Sequence, residues 1–381
     1  MKCTILNRNY PPDSGITGNS ANELAGYLVQ AGIDVRVITT GGNYQGGGAL
    51  DAQVHGTVQT VGHLYNGKNK ILRLFSSFVE GWKMARKAVT AESGPILCMT
   101  DPPLLNYWVS RKAHRRSIPW IYWAMDLYPE AFRAIGVVKA QNPIYQFLKR
   151  RLLQARPAGL IALGPKQAEF IQREYPETIP TVILPCGITQ SREAQSRPAW
   201  AEGRDKIRFG YAGNIGEAHD ERFVMAVIDA INPNTHHFVL CAYGANAQAV
   251  LDYARGREGV TIVDTVAREH LQLIDVHVVT LIPQWDHVCV PSKAVSAVCE
   301  GGSVLMCCSD ANDNWALLKD AGWRIDVDAD LNADVGKFIT QLTDDELQSK
   351  RAMARQLSTE LLHKKEDAFA EIAQMIKSLQ T

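Results

Sequence analysis

Short apolar runs rich in β-branched residues alternate along this chain with longer segments of helical period. Cys3-Thr4-Ile5-Leu6 reads as a first strand, and a Gly/Pro-rich loop from Pro11 to Gly18 follows it. Asn19 to Ala31 carries Leu24, Tyr27 and Leu28 at i, i+3, i+4 and meets Gly32 as its stop, so it reads as a helix. Asp34 to Thr39 reads as the second strand. Further strands are expected at 95–99, 119–123, 159–163 and 181–184, and helices at 70–91, 104–116, 142–155 and 165–175. Such alternation implies a parallel sheet covered by helices on both faces.

The pattern restarts after residue 190. Residues 189–205 are polar without an apolar period and read as a linker or surface loop. Ile207 to Tyr211 opens a second series, with a helix near 220–231 and strands near 236–242, 260–263, 276–281 and 303–308. A long helical pattern occupies 344–379. The fold class is therefore α/β, in two consecutive units of similar size with a boundary at 190/191. The five glycines of 41–48 read as a loop near the mouth of the first sheet.

Composition narrows the function. A length of 381 residues suits two domains, and 46% hydrophobic with 21% charged residues excludes a disordered chain. Lys plus Arg and Asp plus Glu each number 40, a balance that argues against a nucleic-acid partner. The eight cysteines form no C-x-x-C pair, so zinc-ribbon and thioredoxin readings lose their signature, and a reducing, cytoplasmic setting fits. The N-terminus has too short an apolar stretch for a signal peptide. No run of about 18 apolar residues occurs, so any membrane role is peripheral.

Four features carry candidate chemistry. The loop after the first strand offers Gly15, Thr17 and Gly18 at a helix start, where backbone N–H groups meet anions; a turn with only a conformational role is the alternative. Gly213-Asn214-Ile215-Gly216 holds the equivalent place in the second unit. Lys293, after Pro291-Ser292, opens a helix, where a cation opposes the helix dipole unless it faces an anion. The competing reading is a solvent-facing lysine. Last, a strand runs into Asp126, with Glu130 four residues on. These carboxylates suit acid/base or electrostatic work, or else Asp126 caps a helix starting near Leu127.

Together, Tyr10-Pro11-Pro12-x-x-Gly-Ile-Thr-Gly, Asp126-Leu127-Tyr128-Pro129-Glu130, Gly213-Asn214-Ile215-Gly216 and Pro291-Ser292-Lys293 resemble, in order, a subgroup of the family-4 glycosyltransferases. That subgroup is similar to the bacterial sugar transferases of O-antigen, capsule and colanic-acid assembly. The resemblance spans residues 2 to about 340. It implies a GT-B architecture, two Rossmann-like domains facing across a cleft: 1–190 for the acceptor, 191–355 for the nucleotide-sugar donor, and a helix at 356–381 packing back on the first domain. It implies retaining, metal-independent transfer without a cofactor, from a nucleotide sugar, UDP-hexose or UDP-N-acetylhexosamine, to a lipid-linked or saccharide acceptor.

Site roles follow from the resemblance. Asp126 and Lys293 are catalytic. Gly15, Thr17, Gly18, Gly213, Asn214, Gly216, Arg222, Ser292, Lys293 and Glu300 bind the donor, and Asp126 and Glu130 lie on the acceptor side. The chain departs from the family at the Glu-x7-Glu motif: Ser296 stands near the second Glu, and Glu300 lies a turn away. His219 and Asp220 replace the usual Gln and Gly. Two cation clusters, one running from Lys68 to Lys87 through Lys70, Arg73, Lys83 and Arg86, the other Arg111, Lys112, Arg115 and Arg116, read either as docking on anionic lipid at the inner face of the cytoplasmic membrane or as solvated helix faces. Two other functions stay open. One is a nucleotide-sugar 2-epimerase, for which no His/carboxylate set can be placed. The other is an inactive sugar-binding partner of a transferase complex.

Overall fold

The computed structural model describes residues 1–12, 15–41, 53–65, 70–191, 193–194, 196–202 and 206–380. Asp13, Ser14, Lys68 and most of the 41–48 glycine loop lie outside them, as does the Lys70 side chain. The chain divides into two compact units. The first is 1–186 with 288–290 and 365–381; the second is 187–287 with 291–364.

The first unit holds a parallel sheet of seven strands: β1 (Lys2–Leu6), β2 (Asp34–Thr39), β3 (Thr57–Thr60), β4 (Ile96–Cys98), β5 (Trp120–Trp123), β6 (Gly159–Ala162) and β7 (Thr181–Ile183). Their order is β3-β2-β1-β4-β5-β6-β7. Ile5 pairs with Val37 on one side and Leu97 on the other. The apolar runs are continuous because both sheet faces are covered. Cys3, Ile5, Val35 and Val37 join Leu24 and Leu28 of the helix Ile16–Gln30 in one core. On the opposite face Arg36 donates to the Ala88 carbonyl at the end of helix Lys70–Ala88.

The second unit holds six parallel strands: β8 (Ile207–Asn214), β9 (His236–Tyr243), β10 (Val260–Ile262), β11 (Val276–Thr280), β12 (Ser303–Cys307) and β13 (Gly322–Ile325), ordered β10-β9-β8-β11-β12-β13. The helix Asp344–Ser378 begins in this unit. From Lys365 onward it belongs to the first, where Ala368, Phe369, Ile372, Ala373 and Ile376 enter the core.

Each sheet reverses its winding at its first strand. The crevices are therefore built beyond the carboxyl ends of β1 and β4 in one unit, and of β8 and β11 in the other. The candidate loops leave β1 and β8, which places them at these switch points.

Candidate functional site

In the second unit the site grows from the end of β8. Gly213 has φ +137, in the region that favours glycine, and Ile215 beyond it is fully buried, anchoring the loop. Gly244 beside this loop has φ +111, a conformation that favours glycine, and an added Cβ would displace the Asn214 side chain, whose Oδ1 would lie 1.9 Å away. Lys293 opens the helix Ser292–Cys299. Its Nζ donates to the Tyr211 hydroxyl (2.5 Å) and the Asn214 carbonyl (2.8 Å), and lies 4.2 Å from the centre of the Tyr211 ring. Tyr211 in turn donates to the same carbonyl at 2.8 Å. Lys293 is thus fixed over the glycine loop rather than extended into solvent.

His219 completes this corner. The Gly216 N–H donates to its Nδ1 at 3.3 Å, which leaves the ring proton on Nε2. Burial, with the nearby Lys293 charge, depresses its pKa to about 3, so the ring is neutral at physiological pH. The Nε2 atom is buried and has no hydrogen-bond partner among the described residues. A neutral donor and an ammonium therefore flank the Gly213–Gly216 backbone, an arrangement suited to a phosphate.

The remaining second-unit candidates lie elsewhere. Asp220 caps the helix Glu221–Ala230, accepting from the Arg222 N–H, and its carboxylate also holds the exposed Arg222 guanidinium. Arg222 is thereby engaged by its own neighbour. Glu300 closes the helix at the end opposite Lys293, about 10 Å along the axis, and lies 3.7 Å from the Arg268 Nε. Ser292 adjoins Lys293 in the first turn. Ser296, at the position of the missing Glu, donates to the Gly187 carbonyl.

In the first unit Gly15 is the N-cap of helix Ile16–Gln30, and Asn7 Nδ2 donates to the Asn9 carbonyl and the Thr17 hydroxyl. Gly18 approaches backbone: an added Cβ would stand 2.9 Å from the Asn9 oxygen. Asp126 follows β5 but caps nothing. Residues 126–129 are not helical, because the Leu127 N–H goes to the Val288 carbonyl (2.8 Å) and the next helix starts only at Glu130. The two carboxylates are therefore not on one helix face. Glu130 lines a cavity of about 50 Å³ with Asn106, Tyr122, Lys149 and Tyr175, and burial raises its pKa.

The electrostatic neighbour of Asp126 is instead Asp101. Surrounding protein, with a contribution from the Asp101 charge, raises the Asp126 pKa to about 6 although the side chain keeps solvent contact. Asp101, Arg8, Asn9 and Glu80 are functional candidates that the sequence reading missed. Arg8 lies 3.4 Å from Asp101 and 3.0 Å from the fully buried Glu80, and Asn9 Nδ2 donates to Asp101 at 3.1 Å. Glu80 also accepts from Ser76 and the Leu64 N–H. The only signal for this group was positional: Arg8 and Asp101 leave β1 and β4, the strands flanking the switch point.

The chain matches no known family profile and no curated protein. Its fold is shared by solved structures. The sucrose-phosphate synthase from Thermosynechococcus elongatus superposes with a TM-score of 0.74 at 15% identity, covering 100% of this chain and 99% of that one. An E. coli protein described as trehalose-6-phosphate bound with UDP-2-fluoro glucose gives 0.65 at 12%, covering 98% and 99%. WaaG, a glycosyltransferase involved in lipopolysaccharide biosynthesis, gives 0.64 at 15%, covering 99% of both. At these identities the likeness establishes the GT-B fold of two Rossmann-like units.

Proposed function

We propose that this protein is a retaining glycosyltransferase that draws on a nucleotide sugar, a UDP-hexose or UDP-N-acetylhexosamine. Its acceptor is a lipid-linked or saccharide intermediate of bacterial surface-polysaccharide assembly, met at the inner face of the cytoplasmic membrane. The observation that carries the reading is Lys293, held by Tyr211 and Asn214 above the Gly213–Gly216 loop. The GT-B fold, shared with structures described as a glycosyltransferase and as holding a UDP-sugar, supports it.

In this reading the second unit binds the donor diphosphate. The bond from the anomeric carbon to the diphosphate oxygen breaks with its electron pair on the leaving group. Lys293 and the His219 Nε2–H stabilise that charge, while the Gly216 N–H is spent on His219 Nδ1 and the Ile215 N–H on the Tyr243 carbonyl. The acceptor hydroxyl oxygen bonds to the anomeric carbon on the same face, and its proton passes to the departing phosphate. Asp126 of the first unit orients the acceptor hydroxyl. No step is routed through a metal. Thermal-shift titration with UDP and UDP-sugars, followed by transfer assays on lipid extracts, tests the proposal. Stabilisation by UDP-sugars with transfer supports it; an absence of both rejects it, and acceptor-free conversion to an epimer replaces it.

A further inference from the structure

Three helices of the first unit form one layer. The helix Lys70–Ala88 packs on Leu105–Arg115, and that helix packs on Pro143–Leu153, around a shared cluster of Phe78, Tyr107, Trp108, Leu148 and Leu152. Trp108 Nε1 ties the first two together by donating to the Phe78 carbonyl. The three sequences contain five, three and three Lys or Arg residues. Their one carboxylate, Glu80, is buried and held by Arg8 and Ser76.

These cations are largely uncompensated. Among the described residues, Arg73, Lys83, Arg86, Lys87, Lys112 and Arg115 have no ion pair with a carboxylate. Lys149 does, with Glu174. The crowding is visible at Lys112, whose pKa is lowered by burial and then by Arg116, Arg86 and Arg115. A folded chain that gathers like charge without a counter-charge leaves that work to a ligand.

The same layer exposes apolar side chains. Phe75 is 67% exposed, Leu72 50%, Ile144 68% and Phe147 50%. On the first helix Leu72, Phe75, Trp82 and Arg86 lie at i, i+3, i+10 and i+14, a solvent stripe opposite the buried Ser77, Met84 and Ala88. Each helix also stacks an arginine over an aromatic ring one turn before it: Arg86 on Trp82 (5.5 Å), Arg111 on Tyr107 (5.5 Å) and Arg151 on Phe147 (5.3 Å). Water alone favours neither element. An interface with apolar depth and anionic headgroups favours both, because the exposed Phe75, Trp82 and Phe147 rings enter the acyl boundary while the guanidinium groups reach the phosphates.

We propose that this helical layer is the docking face for an anionic lipid bilayer. The inference deepens the functional reading by naming the surface that meets the membrane, and it rests on that reading for the choice of a bilayer. The test is co-sedimentation with phosphatidylcholine vesicles containing roughly one third phosphatidylglycerol, at low salt. The wild-type protein is expected to bind these and to ignore pure phosphatidylcholine. Lys83→Gln, Arg86→Gln, Lys112→Gln and Arg151→Gln combined should weaken binding roughly a hundredfold to a thousandfold. Phe75→Ser with Phe147→Ser should weaken it about tenfold or more, also at salt that screens the charges.

Equal binding to neutral vesicles, or wild-type partitioning of the fourfold variant, would overturn the proposal. So would displacement of the protein from vesicles by inorganic pyrophosphate that binds these same residues, which would mark a soluble-phosphate site instead. UDP stabilisation is measured on every variant. It should persist throughout; a wild-type protein that binds UDP but not the anionic vesicles rejects the surface alone, and docking without UDP binding rejects the transferase reading alone.

Discussion

Replacing Lys293 with Met separates the electrostatic role of this residue from its place in the fold. The ammonium donates to two neutral groups of the described residues, the Tyr211 hydroxyl at 2.5 Å and the Asn214 carbonyl at 2.8 Å. The second acceptor keeps its 2.8 Å bond from Tyr211 when the lysine is removed. Neither group is stranded, and the methionine stem still covers the tyrosine ring, so the folding cost is about 1 kcal/mol. A preorganised donor aimed at developing charge contributes far more to a reaction, about 3–4 kcal/mol, or 10²- to 10³-fold in kcat. Steady-state transfer from a UDP-sugar should fall by that factor, with a nearly unchanged melting temperature. The variant carries an internal check: the Lys293 charge helps to depress the His219 pKa to about 3, so that pKa should rise, as read by NMR. A variant that keeps kcat/KM within about threefold of wild type would refute the reasoning.

Further outcomes follow from the same geometry. In the proposed reaction Asp126 acts as the carboxylate, and its pKa is raised to about 6 by the surrounding protein and then the Asp101 charge, so activity should fall as pH drops through 6; Asp101→Asn removes a neighbouring negative charge and should move that limb to lower pH in a pH–rate profile. His277 is buried, and its pKa is depressed to about 4 against an ordinary value of 6.5. The unfolded chain therefore binds a proton that the folded chain refuses. That costs about 3 kcal/mol of stability as pH falls from 6.5 to 4, and denaturant titrations of His277→Gln should show a shallower loss over that window. Gly18→Ala forces a Cβ within 2.9 Å of the Asn9 oxygen and should destabilise the first unit by about 1–3 kcal/mol in the same titrations.

The strands were legible because sheet interiors buried on both faces leave unbroken apolar runs: 34–39 was read to the residue, and 120–123 and 276–280 to within one. β3 (Thr57–Thr60) was not, because an edge strand with half-exposed Thr-Val-Gln-Thr carries no such run. Lys293 was legible as a conflict, a cation at the wrong helix end, which the Tyr211 and Asn214 contacts resolve. Arg8, Glu80 and Asp101 were illegible because they are distant in sequence and meet only when β1 and β4 become neighbours. The alternative reading of Asp126 as the cap of a helix near Leu127 fails because the Leu127 N–H goes to the Val288 carbonyl and the next helix starts only at Glu130.

The helical layer has a consequence for handling the protein. With 40 cations and 40 anions, the chain has no net charge at neutral pH, and a titration curve would treat it as inert toward any ion exchanger. A resin bead, however, touches one face at a time. The face built by Lys70–Ala88, Leu105–Arg115 and Pro143–Leu153 presents most of its cations without an ion-paired carboxylate, so a sulfonate column should retain the molecule at its own isoelectric point and release it with salt rather than with pH.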